Sequence, residues 1–368
     1  MDSRHIVEIV DRNLRSRMDL SKNYSDKELK HLIDECLDSL EQRIPMIRID
    51  REQIAASVYN GRRRLGLIQP YLEDPTVNEI MINGTEGIFI ERNGDIVRCE
   101  ERFNDKDKLF NLIQTMISWV NRTVNESNPI VDARLMNGAR VNAVLPPIAL
   151  NGPVITIRKF AETPLTMEYL LSNGTLSSKQ AAFLQQAVSA RKNIIIGGGT
   201  SSGKTTFMNM LAGYIPDNQR ILTIEDSAEL RLTQSNVVRL ETRNANTEGR
   251  GEIKMRTLIK AALRMRPDRL IIGEVRDESA LEMLTALCTG HEGCMSTAHA
   301  NSCKDMLVRL ETMALWEGHV SSDAIRQMIA SGVHLIVYLV REGPRRKVQE
   351  ICRVAGIRQG EVVLETVA

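Results

Sequence analysis

The spacing of apolar residues changes twice along the chain. In residues 1–60 it is helical: Ile6, Ile9, Val10 and Leu14 form one stripe, and Leu29, Leu32, Ile33 and Leu37 another. Ser25 followed by Glu28 is a capping-box pattern, so a helix starts there. Residues 1–60 therefore predict an appended helical segment, a bundle or a hairpin. From 61 to 160 the period becomes mixed. Glu79–Ile82 and Gly87–Glu91 alternate, and Asn93-Gly94 reads as a tight turn. Leu109, Leu112, Ile113, Met116 and Ile117 mark a helix within 103–120. Ala133–Leu135 and Arg140–Leu145 flank Asn137-Gly138, a second hairpin signal, and Pro153–Phe160 supplies a strand with Ile155 and Ile157 on one face. An α+β domain with an antiparallel sheet is expected over 61–160, followed by a linker at 161–170 around Pro164.

The pattern from 171 to 368 is different again. Ser177 and Gln180 cap a helix running to Ala190. Short apolar strands at 194–196, 221–224, 270–272 and 294–297 then alternate with helical stretches at 204–213, 255–265 and 279–289. This alternation predicts a parallel sheet covered on both faces. Helices at 305–315 and 322–330 precede three tail strands, 335–340, 348–354 and 361–367.

The first of these parallel strands runs into Gly197–Thr205, and Gly198, Gly203, Lys204 and Thr205 fit the pattern G-x-x-x-x-G-K-[ST]. The backbone N–H groups of Gly198, Gly199, Thr200, Ser201, Ser202 and Gly203 are expected to turn inward around phosphate oxygens, with Thr206 continuing the same contact surface. The helix beginning at Lys204 points its positive end at the same charge. Lys204 is placed to reach the β- and γ-phosphates and the Thr205 hydroxyl to bind Mg²⁺. ATP and Mg²⁺ are the ligands this pattern implies.

A fold of this class binds ligands at the carboxyl ends of its strands, so polar residues at the other strand ends are site candidates. The strand 221–224 ends in Glu225-Asp226, acids that can orient water or Mg²⁺, although Asp226 also suits a turn cap. The strand 270–272 ends in Gly273-Glu274, where a Walker B acid belongs, with glycine at the usual aspartate position. Glu274 is suited to polarise an attacking water toward the γ-phosphorus. The strand 294–297 runs into Ala298-His299, and a histidine there can bond a phosphate and sense its loss; His291, just upstream, is a weaker candidate. Phosphoryl transfer also needs arginines, and the N-terminal domain offers Arg134, Arg140 and Arg158 beside its strands. Each could equally be a solvated surface arginine.

Composition narrows the partners. A formal net charge of +1 gives no reason to expect general binding to nucleic acid or to a charged membrane surface, and 4% aromatic residues argue against a base-stacking platform. No apolar run approaches the length needed to span a bilayer, and the charged N-terminus lacks a signal-peptide core, so a cytosolic chain is expected. Cys36, Cys99, Cys288, Cys294, Cys303 and Cys352 form no C-x-x-C pair, and reduced, packed thiols are expected rather than zinc ligands or disulfides.

Gly197–Thr205, Ile224-Glu225-Asp226, the run Arg266-Pro267-Asp268 to Gly273-Glu274-Val275-Arg276, Thr289-Gly290-His291 and Thr297–Ser302 together resemble the type II/type IV secretion ATPase superfamily: its Walker A, Asp box, atypical Walker B and His box. Asp132–Leu135, Gly138–Ala143 and Ile155–Phe160 are most similar to the CpaF-type branch that serves Tad (Flp) pilus assembly. The resemblance covers about residues 60–360. It implies a RecA-like P-loop domain preceded by a smaller α+β, PAS-like domain, in a homo-hexameric ring on the inner face of the cytoplasmic membrane. It also implies ATP held between the two domains, and hydrolysis that moves one against the other to drive inner-membrane platform proteins. In that frame Glu274 is the base, Glu225 assists, His299 and less firmly His291 sense the γ-phosphate, and Arg140 and Arg158, with Arg134 behind them, clamp charge. The tetracysteine zinc element of some relatives is absent. The segment before residue 60 is short, so a membrane-docking extension is expected to be missing or replaced. A nucleic-acid translocase on the same core and a non-hydrolysing, nucleotide-gated scaffold are the competing readings.

Overall fold

The computed structural model describes all residues except 1–2, 19–23, 42–47, 64, 93, 121, 136, 160–164, 246–249, 344 and 368. The chain divides into two compact units, Met1–Ala161 and Glu162–Ala368. Asn93 of the expected tight turn, and Pro164 with most of its surroundings in the expected linker, lie outside the described residues.

The first unit opens with helices α1 (Ser3–Arg17), α2 (Asp26–Glu41) and α3 (Arg48–Arg63). Their stripes meet in a core of their own, which includes Val10, Leu14, Leu29, Ile33, Leu37, Ile54 and Val58. The Ser25 hydroxyl accepts the Glu28 N–H, and the Glu28 carboxylate accepts the Ser25 N–H, so the capping box starts α2. A short 3₁₀ turn (Gly66–Ile68) and α4 (Gln69–Glu73) lead to β1 (Val77–Asn83), β2 (Gly87–Arg92), β3 (Asp95–Arg98), α5 (Lys106–Ser118), β4 (Ile130–Arg134), β5 (Arg140–Val144) and β6 (Val154–Arg158). The six strands form one sheet in the order β3-β2-β1-β6-β5-β4, and every pairing is antiparallel. Alternation puts Ile80, Ile82, Val141, Ala143, Ile155 and Ile157 into one core with Leu109, Ile113, Met116 and Ile117 of α5.

The second unit contains α6 (Met167–Ser172), α7 (Ser178–Ser189), β7 (Ile194–Gly198), α8 (Lys204–Ala212), β8 (Ile221–Glu225), β9 (Val237–Glu241), α9 (Met255–Ala262), β10 (Arg269–Ile272), α10 (Ser279–Cys288), β11 (Met295–His299), α11 (Cys303–Leu315), α12 (Ser322–Gly332), β12 (Leu335–Glu342), β13 (Arg345–Arg358) and β14 (Glu361–Thr366). Its sheet runs β14-β13-β12-β7-β11-β10-β8-β9. The stretch from β12 to β9 is parallel throughout, and β13 and β14 join as antiparallel strands. Helices cover both faces. One core packs α7 and α8 on the sheet through Leu184, Val188, Phe207 and Leu211, and the other packs α9 to α12 through Ile259, Met283, Leu310 and Ile329. The expected mixed fold is therefore present: an α+β unit with a helical N-terminus, then a doubly wound P-loop unit.

A buried arginine ties the far end of this sheet together. Arg269, at the start of β10, is 1% exposed. It donates to the Val188 carbonyl at the end of α7, to the Gly293 carbonyl and to Gln219 Oε1. Burial first, and then Arg191, pulls its pKa down to about 10, so it stays charged near neutral pH.

Candidate functional site

The ends of four parallel strands build the site. β7 is the central strand, and its register aligns His299 of β11 with Gly198, while β10 joins β11 to β8. Polar residues placed just past the apolar part of each strand therefore emerge at one edge of the sheet.

The loop after β7 takes its course because Gly198 has no side chain. A Cβ there would lie 2.4 Å from Ser202 Oγ and 2.6 Å from the Leu339 carbonyl. Ser201 and Gly203 both adopt positive φ, 58° and 89°, which bends the loop into the start of α8. Gly199 meets nothing within 4 Å of a Cβ position, so steric crowding within the chain does not require glycine at that position. Lys204 is buried and curls back over the loop, its Nζ donating to the carbonyls of Gly198 at 3.2 Å and Gly199 at 3.0 Å.

Lys204 continues into a chain of charged groups. Its Nζ lies 3.5 Å from His299 Nδ1, and His299 Nε2 lies 3.0 Å from Glu274 Oε1. The second contact is at hydrogen-bond distance without hydrogen-bond alignment, since Glu274 Oε1 has no well-directed donor among the described residues. Arg276 donates to the other oxygen, Oε2. An ammonium can only donate, so where Lys204 bonds the neutral His299 ring, Nδ1 accepts and the ring proton is on Nε2. Burial first and the Lys204 charge second hold the His299 pKa below its ordinary value, which keeps the ring neutral at pH 7.

Glu225 closes the site on the β8 side. It is 2% exposed, and its Oε1 accepts the N–H groups of Glu229 and Leu230 at 2.8 and 2.9 Å. Oε2 is buried and accepts no hydrogen bond among the described residues. Burial raises the Glu225 pKa above the ordinary carboxylate value despite the two backbone donors. Glu225 also explains the glycine of the altered Walker B: a Cβ at Gly273 would lie 3.0 Å from Glu225 Cγ. A bidentate clasp by neighbouring strands fixes that glycine, whose N–H donates to the Ile224 carbonyl at 2.7 Å and whose carbonyl accepts Thr297 Oγ1 at 2.7 Å. Hard oxygen donors suit a divalent cation such as Mg²⁺, and the orphaned Oε2 of Glu225, with the Thr205 hydroxyl, is a donor set of that chemistry.

Three other expectations meet the structure differently. His291 lies in the turn before β11, at the end of that strand opposite His299, with its Nδ1 3.4 Å from Thr289 Oγ1. It is therefore remote from the loop, because a histidine upstream of a strand cannot share the edge its end reaches. Asp226 engages the Thr242 hydroxyl at 3.3 Å. Among the described residues the tightest group of potential metal ligands is Cys303, Glu350 and Cys352, with ligand atoms within 4.8 Å of one another. Burial first, then Glu350, raises the Cys303 thiol, which opposes thiolate formation.

In the first unit, strand register does what sequence spacing could not show. Arg134 stands opposite Arg140, Arg140 opposite Arg158, and Arg158 opposite Glu79, itself opposite Glu91. Directly paired residues share a face, so the three arginines form one row across adjacent strands, about 5 Å apart at Cβ. They sit on the face away from the core of Val141, Ala143 and Ile157. Like charges in such a row oppose one another, and the row is a surface suited to an anion.

The raised Glu225 pKa has a testable sign. A carboxyl whose folded value lies above 4.5 contributes stability that is lost as pH rises from 4.5 through that folded value. Glu225→Gln does not titrate. Its melting temperature relative to wild type, both without nucleotide, is expected to rise over that window and then level off. A difference that stays constant from pH 4.5 upward contradicts the assignment.

Comparison with known proteins agrees with this geometry. The family model described as Type II/IV secretion system protein matches residues 62–360. The chain is 34% identical over 299 residues to the conjugal transfer protein TrbB of Rhizobium radiobacter, covering 80% of this chain and 88% of that one. It is 30% identical over 328 residues to the type IV secretion system protein VirB11 of Bartonella quintana, covering 78% and 91%. Among solved structures, the ADP-bound pilus retraction motor PilT shares the fold, with a TM-score of 0.56, 21% identity, and 82% and 81% of the two chains covered. With its P-loop, its strand-end carboxylates and its matched family model, the chain belongs to the type II/IV secretion system ATPases.

Proposed function

We propose that this ATPase is one subunit of a homo-hexameric motor at the inner face of the cytoplasmic membrane, hydrolysing Mg²⁺-ATP to power Tad-type pilus assembly or protein export through inner-membrane platform proteins. The observation that carries the reading is the convergence of Lys204, His299 and Glu274 at neighbouring strand ends. Hydrolysis needs a cation on the phosphates, a base for water and a group that registers the γ-phosphate, and these three residues supply them in contact with one another. The Asp132–Leu135, Gly138–Ala143 and Ile155–Phe160 stretches support the Tad branch within the family. No helix among the described residues is long and apolar enough to cross a membrane.

In this reading ATP binds with its phosphates along Gly198–Thr206. Lys204 leaves the Gly198 and Gly199 carbonyls and His299 for the β- and γ-phosphates, which exchanges neutral acceptors for charged ones. His299, neutral and carrying its proton on Nε2, is released to donate to the γ-phosphate. Glu274 then loses its histidine contact and can accept a proton from the attacking water. Thr205 and Glu225, the latter directly or through water, would hold Mg²⁺, which when bound neutralises the charge on the β- and γ-oxygens. Glu225 is clasped by two backbone N–H groups and acts as a fixed positioner, whereas Glu274 is held by side chains that can let go. Arg140 and Arg158, with Arg134 less firmly, are proposed to clamp the charge that spreads over the equatorial oxygens. The expected domain scheme, a helical segment to 60, an α+β domain to 160, a linker to 170 and the P-loop domain beyond, would let hydrolysis move one domain against the other, with the linker shorter than expected because α6 already packs in the second unit's core through Met167 and Leu170.

Glu274→Gln is expected to keep ATP affinity and lose turnover by about 10²–10⁴-fold, as removal of a general base does. Equal, slow turnover by wild type and variant, with both binding ATP, would move the protein to the nucleotide-gated scaffold. Arg140→Ala and Arg158→Ala are each expected to retain nucleotide binding and lose most phosphate release, by up to about 10³-fold. If both variants turn over ATP like wild type, the arginine row is a solvated surface.

A further inference from the structure

β12 lies beside the P-loop strand in parallel register, from Leu335 opposite Ile194 to Leu339 opposite Gly198. β7 then ends, but β12 continues through Val340, Arg341 and Glu342 before the chain returns in β13. The β12–β13 hairpin therefore projects past the strand that carries the loop. Sheet order puts it on the flank of β7 opposite β11 and β10.

The projecting part is basic, with Arg341, Arg345, Arg346 and Lys347 around the tip. Pairing sets Arg346 opposite Arg341 and Arg345 opposite Glu342. Arg346 is the one seen against the loop: its Cδ and Nε lie 3.3 and 3.6 Å from the position of a Cβ on Gly203, the residue immediately before Lys204. Its side chain is exposed, and among the described residues no hydrogen bond or ion pair engages its guanidinium. The hairpin thus holds a second cation beside Lys204 at the N-terminus of α8, where backbone N–H groups already favour an anion.

The flank decides which part of the nucleotide this cation meets. Glu274 and His299 mark the γ-phosphate end, and both stand on the β11 and β10 side. An arginine reaching the loop from the opposite side faces the phosphates that ATP and ADP share. We infer that Arg346 is a further nucleotide-binding residue, contacting the α- or β-phosphate from the C-terminal hairpin and strengthening the binding of ATP and ADP alike. The inference rests on the proposed role of the P-loop. A planar guanidinium can bond two phosphate oxygens at once, which an ammonium cannot, so lysine is an incomplete replacement. Solvent exposure limits the gain to about tenfold in affinity, equal to about 1.4 kcal/mol.

The test is calorimetric titration of the full chain with Mg²⁺-ATP, Mg²⁺-ADP, pyrophosphate and adenosine, alongside steady-state ATP hydrolysis. The proteins are wild type, Arg346→Ala, Arg346→Lys, Arg345→Ala and Lys204→Ala, with melting temperatures checked for each. Arg346→Ala is expected to weaken ATP, ADP and pyrophosphate by a similar factor of about ten and to leave adenosine unaffected, with the loss in hydrolysis falling on KM. Arg346→Lys should recover part of the affinity, and Arg345→Ala should bind as wild type. Unchanged ADP affinity in Arg346→Ala overturns the inference. So does an equal loss in Arg345→Ala, which would mean only a diffuse field, or a loss that follows adenosine, which would mean a base contact. If Lys204→Ala binds nucleotide as wild type does, the P-loop reading itself fails; if only the Arg346 effect is missing, that reading stands and this inference does not.

Discussion

The site depends on where parallel strands stop. β8, β10, β11 and β7 are hydrogen-bonded in fixed register and almost wholly buried, and their small polar interior residues, Thr223, Ser296 and Thr297, lie within the sheet. A chain that leaves a buried strand must satisfy its backbone groups at once, and here the strand ends do so with one another. The Gly273 N–H donates to the Ile224 carbonyl, the Val275 N–H to the Thr297 carbonyl, and Thr297 Oγ1 to the Gly273 carbonyl. This lacing brings Glu225, Glu274 and His299 out at the same edge of the sheet, with His299 against Lys204 and Glu274 against His299. The glycine that stands in place of the usual Walker B acid packs closely on Glu225, and a Cβ there would press to 3.0 Å from Glu225 Cγ.

Within that frame the charges are arranged as a poised set. Lys204, His299, Glu274 and Arg276 lie against one another in sequence, and the lysine also donates to the Gly198 and Gly199 carbonyls. Each of those contacts is weaker than what a polyphosphate offers, since a carbonyl and a neutral imidazole are poor rivals to a charged oxygen. On the proposed reading, ligand binding and release of Glu274 are one event. In the first unit, backbone pairing holds Arg134, Arg140 and Arg158 in one row that continues into Glu79.

Much of this was legible in the sequence, because the signals are local. The P-loop pattern, the apolar strand runs and the polar residues that end them lie within a few residues of one another, and the capping boxes at Ser25 and Ser177 start helices where their spacing says. The unread elements are those whose pattern is weak or whose meaning is non-local. β3 is four residues long and exposed throughout, and β9 is a short, half-exposed edge strand, so each offers too few residues for a firm period. α6 is a six-residue helix, too short to establish a period. The row of Arg134, Arg140 and Arg158 appears only once three strands are paired, and Arg346 lies far in sequence from the loop it meets. His291, the weaker histidine candidate, lies at the opposite end of β11 from His299, because a whole strand separates the two.

The central claim is that nucleotide binding takes Lys204 and His299 away from each other and frees Glu274. A structure of the protein with Mg²⁺ and a non-hydrolysable ATP analogue tests it most directly. The account predicts Lys204 Nζ on the β- and γ-phosphate oxygens, His299 turned to the γ-phosphate, and a water between Glu274 and the γ-phosphorus. An analogue bound with Lys204 still on the Gly198 and Gly199 carbonyls and Glu274 still against His299 would contradict it.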